Sequence, residues 1–340
     1  MATHADIVDT WDAGDLRDVQ SLAAMVSACR PVVIRGLCAD WPAVHAAAAS
    51  VEHGAAYVGQ FDAGTTAEAF VGSADLAGRF HYGDKVDGFN FVRDSAGISE
   101  HIRQIVVSAT DREASTRYLG SLPIDIHLPG FTRHNMVPAM PPSVAPRIWI
   151  GNASVIACHY DTYDNLACVV AGRRRFTLYP PDAIGDLYVG PIDHTMAGQP
   201  VSLAANAGEA DARYPRFAAA RDRALVVDLD AGDALYLPKL WWHQVEATSP
   251  FNILVNYWWD NFSIGPDAPY TAMLLSMIAI AERPEAERAA WRAYFDHYVF
   301  RPDGHPLAHL PPEKHGVLGR MASGNYGRIR ALVMRLLRDV

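Results

Sequence analysis

From Arg147 to Trp258 the chain alternates apolar and polar positions in short runs, each closed by a turn signal. Arg147 to Ile150, Ser154 to His159, Asn165 to Val170, Arg174 to Tyr179, Leu225 to Asp228, Ala234 to Leu237, Trp242 to Ala247 and Asn252 to Trp258 read as strands. Gly-Asn, Ala-Gly-Arg, Pro-Pro, Asp-Ala-Gly-Asp and Thr-Ser-Pro separate them. Eight short strands so punctuated predict a double-sheet jelly roll rather than a parallel α/β sheet. Upstream, a helical pattern (Leu16 to Ala28) precedes the strand-like Pro31 to Gly36. The next hundred residues are cut into short pieces by Gly83, Gly88, Gly120, Pro123, Pro129, Gly130 and Pro141-Pro142, with one helical pattern near Ile98 to Ala109.

Beyond Asp260 the period changes. Tyr270 to Glu282 is apolar on nearly every face, so as a helix it is expected to be buried. Pro284 fits the first turn of a following helix that runs to about Val299. In the tail, Ile329, Leu332, Val333, Leu336 and Leu337 form one helical stripe, with Arg328, Arg330, Arg335 and Arg338 off it. The expected fold is mainly β: a double-stranded β-helix (jelly roll) with an N-terminal α/β elaboration and C-terminal helices. Residues 1–260 are expected as one domain with its core at about 147–260, and residues 261–340 as a helical region. The two leftover apolar stripes are read as the face of a homodimer, against the alternative that they cap the barrel within one chain.

With 340 residues, half of them apolar, the composition suits a globular protein. The 29 Lys and Arg against 38 Asp and Glu leave a net charge of −9, which argues against a general nucleic-acid binder. Four cysteines without CxxC spacing are expected as reduced thiols. The N-terminal residues are acidic where a secretory signal would be basic, and the longest apolar stretch, Ala272 to Ala281, is half a membrane span. The expectation is a soluble, cytoplasmic protein with no membrane partner.

The chemistry concentrates in Cys158-His159-Tyr160-Asp161 and, much later, Trp241-Trp242-His243. A His-x-Asp pair closing a strand, with a His from a distant strand, has the spacing of the two-His-one-carboxylate triad. That triad leaves neighbouring positions open on Fe(II) for a chelating cosubstrate and oxygen. Two imidazoles and a hard carboxylate suit iron, while structural zinc usually recruits cysteine. Cys158 abuts His159, but neighbours in a strand point to opposite faces. His127, His134, His194 and His305 are left to ordinary hydrogen-bonding roles.

Alternation adds to the site. Arg174 falls on the face of Phe176 and Leu178, where a cation is costly unless an anion meets it. The bland alternative is a buried ion pair with Asp or Glu. Arg173 and Arg175 point outward. Trp241, His243, Val245 and Ala247 share one face; Asn252, Leu254, Asn256 and Trp258 line up, as do Asn165, Ala167 and Val169. Such an interior reads as a pocket for a metal and a small dicarboxylate, with Trp241, Trp242, Trp258 and Trp259 as its walls.

At these residues the sequence resembles the JmjC-type, cupin-like 2-oxoglutarate oxygenases, especially the branch containing the asparaginyl hydroxylase that acts on hypoxia-inducible factor. The matching stretches are Pro31-Val-Val-Ile-Arg-Gly, Trp149-Ile-Gly-Asn, His159-Tyr-Asp with Asn165-Leu166, Gly172 through Pro181, Gly232 through Pro238, Trp241-Trp-His243 and Val255-Asn-Tyr-Trp258. They occur in family order over roughly residues 30 to 260. The resemblance implies His159, Asp161 and His243 as iron ligands, with Arg174 in the place of the basic residue, usually Lys in that branch, that pairs with the far carboxylate of 2-oxoglutarate. It implies Asn165 and Asn256 as amides near the cosubstrate and Tyr118 as a tyrosine touching it. One position departs: Ile156 stands where the family often has a threonine hydroxyl, and Ser154 or Tyr118 is the candidate to replace it. The C-terminal helices are similar to the family's dimerisation elements.

The implied activity is an Fe(II)- and 2-oxoglutarate-dependent hydroxylase that consumes oxygen and releases succinate and carbon dioxide. Its substrate is expected to be a protein side chain or a small metabolite. The rivals are a non-catalytic metal-binding cupin acting as sensor or structural protein, and another metalloenzyme on the same jelly roll, which would commonly use more histidines. The stretches Asp62 to Ala145 and Asp182 to Arg223 are expected to shape the substrate mouth.

Overall fold

The computed structural model describes residues 8–338 apart from 84, 85, 87, 112, 197, 208–210 and 261–264. The chain divides into two compact units, residues 1–261 and 262–340.

The first unit is built on two sheets. Its strands are β1 (Asp9–Asp12), β2 (Val32–Arg35), β3 (Thr66–Gly72), β4 (Arg79–Phe80), β5 (Val92–Gly97), β6 (Thr116–Pro123), β7 (Pro146–Gly151), β8 (Ser154–His159), β9 (Asp164–Ala171), β10 (Arg174–Tyr179), β11 (Leu225–Leu229), β12 (Ala234–Leu237), β13 (Trp242–Ala247) and β14 (Asn252–Trp259). The larger sheet runs β1-β2-β12-β9-β14-β7-β6-β3-β5, and the smaller runs β11-β10-β13-β8-β4. Strands β7 to β14 are the jelly roll, and they divide evenly: β7, β9, β12 and β14 in one sheet, β8, β10, β11 and β13 in the other.

Alternation explains the layers. In β9, Ala167 and Val169 face inward with Leu235, Leu237 and Leu254, against Phe176, Leu178, Val227 and Leu229 of the smaller sheet. The intervening Leu166, Cys168 and Val170 face outward into a second core. Helices α1 (Val19–Ser27), α2 (Pro42–Ala49), α3 (Val51–Gly59) and α4 (Ile98–Ser108) contribute to that core through Leu22, Val44, Val58 and Ile102. Their starts follow local rules: Asp18 accepts from the Ser21 N–H at 2.8 Å, and Pro42 occupies the first turn of α2. With both faces covered, every residue of β9 is buried.

The stretch 62–145 gives more sheet than its sequence suggests. Strands β3, β5 and β6 extend the larger sheet and β4 borders β8, while α5 (Ile124–His127) is a single turn. The insert 182–223 contains α6 (Phe217–Arg221), most of a 3-10 turn (Pro181–Gly185), a bridge from Val189 to Ser202 and one from Val201 to His159, which brings it beside the end of β8.

The second unit contains α7 (Pro269–Ile280), α8 (Glu285–Phe295), continued by a π-helical turn at Asp296–Phe300, and α9 (Asn325–Arg338). Pro284 stands at the N-cap of α8. The expected burial of Tyr270 to Glu282 is corrected: α7 forms, but none of its residues is buried and Ile278 is 84% exposed. An all-apolar helix demands cover, and the described residues of the second unit do not bury it. No described helix is long and apolar enough to cross a membrane. All four cysteines are free thiols.

Candidate metal centre

Two ligand-bearing strands lie side by side. His243 on β13 pairs across the ladder with His159 on β8, and the next pair is Val245 with Ile156. Two β8 residues, Ala157 and Cys158, therefore oppose the single Gln244: a β-bulge. Strict alternation from Ser154 and Ile156 would turn Cys158 inward. The bulge turns His159 inward instead, and Cys158 packs with Tyr179 and Trp242 away from the site.

Asp161 follows β8 by two residues. Side-chain ligand atoms of His159, Asp161 and His243 all lie within 4.8 Å of one another, the one such convergence of His, Cys, Asp or Glu among the described residues. Each imidazole is oriented by its other nitrogen. His159 Nδ1 lies 2.8 Å from the Ala157 carbonyl and His243 Nδ1 lies 3.0 Å from the Trp241 carbonyl, so both Nε2 atoms are left for a ligand role. Asp161 Oδ2 accepts from Trp258 Nε1 at 3.2 Å. Burial, helped by neighbouring His159, holds the His243 imidazole well below its usual range. Its 3.8 Å approach to Asp161 is therefore not an ion pair but two donors facing one position. Burial also pushes the Asp161 carboxyl up, against the opposing pull of His159 and Trp258. Two imidazoles and one carboxyl group, with no thiol among them, fit a divalent iron that keeps open coordination positions.

The interior beyond the triad is polar at a few points. Arg174 is 2% exposed, makes no ion pair among the described residues, and its Nε lacks any hydrogen-bond partner. The buried ion pair considered above is thus absent. Across the smaller sheet Arg174 sits opposite Ala247, and Ala247 opposite Ser154, whose buried Oγ is also unpartnered. Ile156 joins Phe80, Ala157 and Tyr118 in an apolar cluster. The Tyr118 phenol is pushed up to about 12, chiefly by burial, with Arg174 drawing it down and Asp161 raising it. It is a neutral hydroxyl within electrostatic reach of both. Asn256 Nδ2 donates to Asn165 Oδ1 at 3.1 Å, and Asn256 Oδ1 accepts from Trp149 Nε1 at 2.7 Å. The two amides form one fixed unit on the inner face of the larger sheet.

The tryptophan wall is corrected. Trp258 alone of the four contacts a triad side chain. Trp242 lies in the cluster with Cys158, and Trp259 in the outer core beneath the helices. Trp241, part-buried, donates to the Cys29 carbonyl at 3.3 Å. Trp241 also packs against the inner core, while Trp242 and, on β14, Trp259 face away from the side of their neighbours, so neither adjacent pair walls one pocket. Sequence reasoning also missed Asp164 and Lys239. Asp164, 2% exposed, accepts from Tyr236 Oη at 3.0 Å, and Lys239 Nζ lies 3.5 Å from it and 2.5 Å from Asp260. The signal available was an acid at the start of a strand that is apolar from Leu166 onward.

The cupin-like domain profile matches residues 19–264. The lysine-specific demethylase JMJ31 of Arabidopsis thaliana is 34% identical over 114 residues, 33% of this chain and 20% of that protein. HSPB1-associated protein 1 of Homo sapiens is 32% identical over 148 residues, 42% of this chain and 30% of that protein. The bifunctional peptidase and (3S)-lysyl hydroxylase JMJD7 of Homo sapiens is 30% identical over 135 residues, 34% of this chain and 42% of that protein. The matches thus span a fifth to about two fifths of these relatives' own lengths. With a domain profile covering most of the chain, a jelly roll beneath it and a His-Asp-His convergence inside, the protein belongs to the JmjC-type, cupin-like family.

Proposed function

We propose that this protein is an Fe(II)- and 2-oxoglutarate-dependent oxygenase that hydroxylates a protein side chain or a small metabolite. The observation that carries the reading is Arg174: a buried guanidinium with no anion, on the same sheet as His159 and His243. Leaving a cation so placed costs several kcal/mol unless a ligand supplies the negative charge. A dicarboxylate reaching from Arg174 toward the triad meets that demand. Bound iron and 2-oxoglutarate supply the oxidising chemistry, in which oxygen is consumed, succinate and carbon dioxide are released and a substrate C–H bond is hydroxylated.

The chain's own residues have separable tasks. His159, Asp161 and His243 hold the metal. Arg174 fixes the far carboxylate, and Ser154 offers it a hydroxyl where Ile156 offers none. Tyr118, kept neutral, donates from the opposite sheet. The Asn165–Asn256 pair keeps Trp149 in place beside Trp258, whose ring it meets edge-on at 5.7 Å. Apolar walls exclude water, which strengthens each of these contacts.

The deciding experiment is conversion of 2-oxoglutarate to succinate by purified protein with Fe(II) and no added substrate. Slow uncoupled turnover is expected, and His159→Ala, Asp161→Ala and His243→Ala are each expected to abolish it and to lose iron while keeping the wild-type circular dichroism spectrum. A protein that binds iron and 2-oxoglutarate without turnover is a cupin sensor. An Asp161→Ala variant that holds iron and turns over normally overturns the ligand assignment.

A further inference from the structure

A second guanidinium stands on the inner face of the larger sheet. On β7, Trp149 faces inward while Ile148 and Ile150 face the outer core, so Arg147 points inward with Trp149. It lies opposite Asn256 on one side and Pro123 on the other. Its Cζ is 5.9 Å from the Trp258 ring, the ring whose Nε1 donates to Asp161. The guanidinium is thus one indole away from the triad.

Its orientation is built. Arg147 Nε donates to Ser121 Oγ at 2.6 Å and to the Ser121 carbonyl at 3.1 Å, and Nη2 donates to the same carbonyl at 2.8 Å. Ser121 lies where the β6–β7 register slips between Leu119 and Leu122, and it holds φ at 56°, a left-handed conformation that a non-glycine residue adopts at a cost. A bulge and a strained serine together grip one edge of the fork. Among the described residues the Nη1 edge has no hydrogen-bond partner, and no carboxylate lies within ion-pair distance of it. Burial alone draws this guanidinium below its usual value, with no acid to offset it. The contrast with its neighbours is plain: Arg117 pairs with Asp94 and Arg93 with Glu68.

We infer that Arg147 anchors a carboxylate on the primary substrate and lays that substrate across Trp258 toward the metal. The inference rests on the oxygenase reading and adds the substrate's class. A carboxylate suits the site better than a phosphate, because one guanidinium edge neutralises one charge and the other unpaired guanidinium of the interior, Arg174, is taken by the cosubstrate. Arg174, deeper and fully buried, is the cosubstrate's partner, so the two guanidiniums divide two different acids. A cationic side chain would instead bring like charge against Arg147.

The probes are the amides of N-acetyl-L-aspartate, N-acetyl-L-asparagine and N-acetyl-L-lysine, whose binding is read by ligand-observed NMR on protein loaded with Zn(II) and 2-oxoglutarate. Wild type is expected to bind the aspartate probe about tenfold more tightly than its isosteric asparagine probe, as befits a charge-assisted contact. It is expected to bind the lysine probe most weakly. Arg147→Met should erase the order, and Arg147→Lys, which keeps the charge but loses the gripped fork, should keep only part of it. Equal binding of the aspartate and asparagine probes to wild type, or an aspartate preference that survives in Arg147→Met, overturns the inference. Uncoupled succinate formation by wild type, measured in parallel, tests the oxygenase reading separately; a 2-oxoglutarate requirement raised in Arg147→Met makes Arg147 a cosubstrate residue and overturns the inference.

Discussion

The backbone N–H of Leu240 donates to the carbonyl of Asp161 at 2.8 Å, tying the loop that carries the carboxylate ligand to the loop that leads into His243. Leu240 holds this contact at φ 68°, left-handed for a branched residue and half exposed to solvent. Lys239, next to it, bridges Asp164 and Asp260, and Asp164 begins the strand after Asp161. Two ligands from separate loops are therefore held at a fixed spacing by a clasp outside the triad.

Asp164→Asn removes the charge that faces Lys239 and keeps the shape. The expected cost is about 1–3 kcal/mol of stability, since Asp164 is buried and its hydrogen bonds are charge-assisted. Metal affinity should fall by roughly 10–100-fold, the usual range for a residue that orients a ligand. Urea unfolding and Co(II) titration read the two effects. A loss of stability with unchanged Co(II) affinity would show that the clasp supports the fold and not the ligands.

Much of this site is legible in the sequence because its strands are two-faced. The runs Ser154–His159, Arg174–Tyr179, Ala234–Leu237 and Trp242–Ala247 agree with β8, β10, β12 and β13 to the residue. Alternation alone puts Arg174 on the inner face. What alternation cannot show is an interruption of itself: the bulge that turns His159 inward depends on how β8 pairs with β13. Strands β3 to β6 were hidden for a related reason. β6 is held by pairing with β7 and β4 with β8, β3 and β5 pair outward from β6, and glycines and prolines mask their local pattern. The Asp164–Lys239 clasp joins residues 75 apart in sequence, a distance at which no local period operates.

Arg174→Met should raise the 2-oxoglutarate requirement on the order of 30-fold or more while iron affinity holds, because a buried charge-assisted pair is worth about 2–5 kcal/mol. Ser154→Ala should raise it more modestly, about 2–10-fold, the range of one neutral hydrogen bond. Arg173 and Arg175 form exposed pairs with Asp230 at 2.6 Å and Asp228 at 2.9 Å, so their methionine variants serve as controls with little effect. Cosubstrate titrations with succinate readout separate the four. An unchanged curve for Arg174→Met would leave Arg174 a structural residue.

His81 gives a pH dependence away from the metal. Burial holds its imidazole below the usual value, and its Nε2 has no hydrogen-bond partner. The unfolded chain takes up a proton near pH 6.5 while the folded protein resists it. Stability from this group is therefore fully present above about pH 6.5 and declines as the pH falls through the unfolded and then the folded value. His81→Gln should flatten that decline in metal-free protein between about pH 7 and 5, as followed by thermal unfolding. Parallel slopes for variant and wild type would remove His81 as the cause.

The second unit makes a prediction about assembly. Leu332, Leu336 and Leu337 on α9 are about half exposed, and Leu274, Leu275 and Met277 on α7 are exposed as well. Apolar faces of this size on a single chain mark a contact surface, and a two-fold pair of identical chains is the commonest way to close one. A second copy is the expected partner, because the stripe carries no charge and the arginines of α9 lie off it. Leu332→Glu combined with Leu336→Glu places charges where a dimer core offers nothing to offset their desolvation. In a monomer the same two positions face water and tolerate the change. Light scattering at micromolar concentration is expected to show a dimer for wild type and a folded monomer for the variant. A wild-type monomer under those conditions would overturn the assignment and leave α7 and α9 as exposed helices of a single chain.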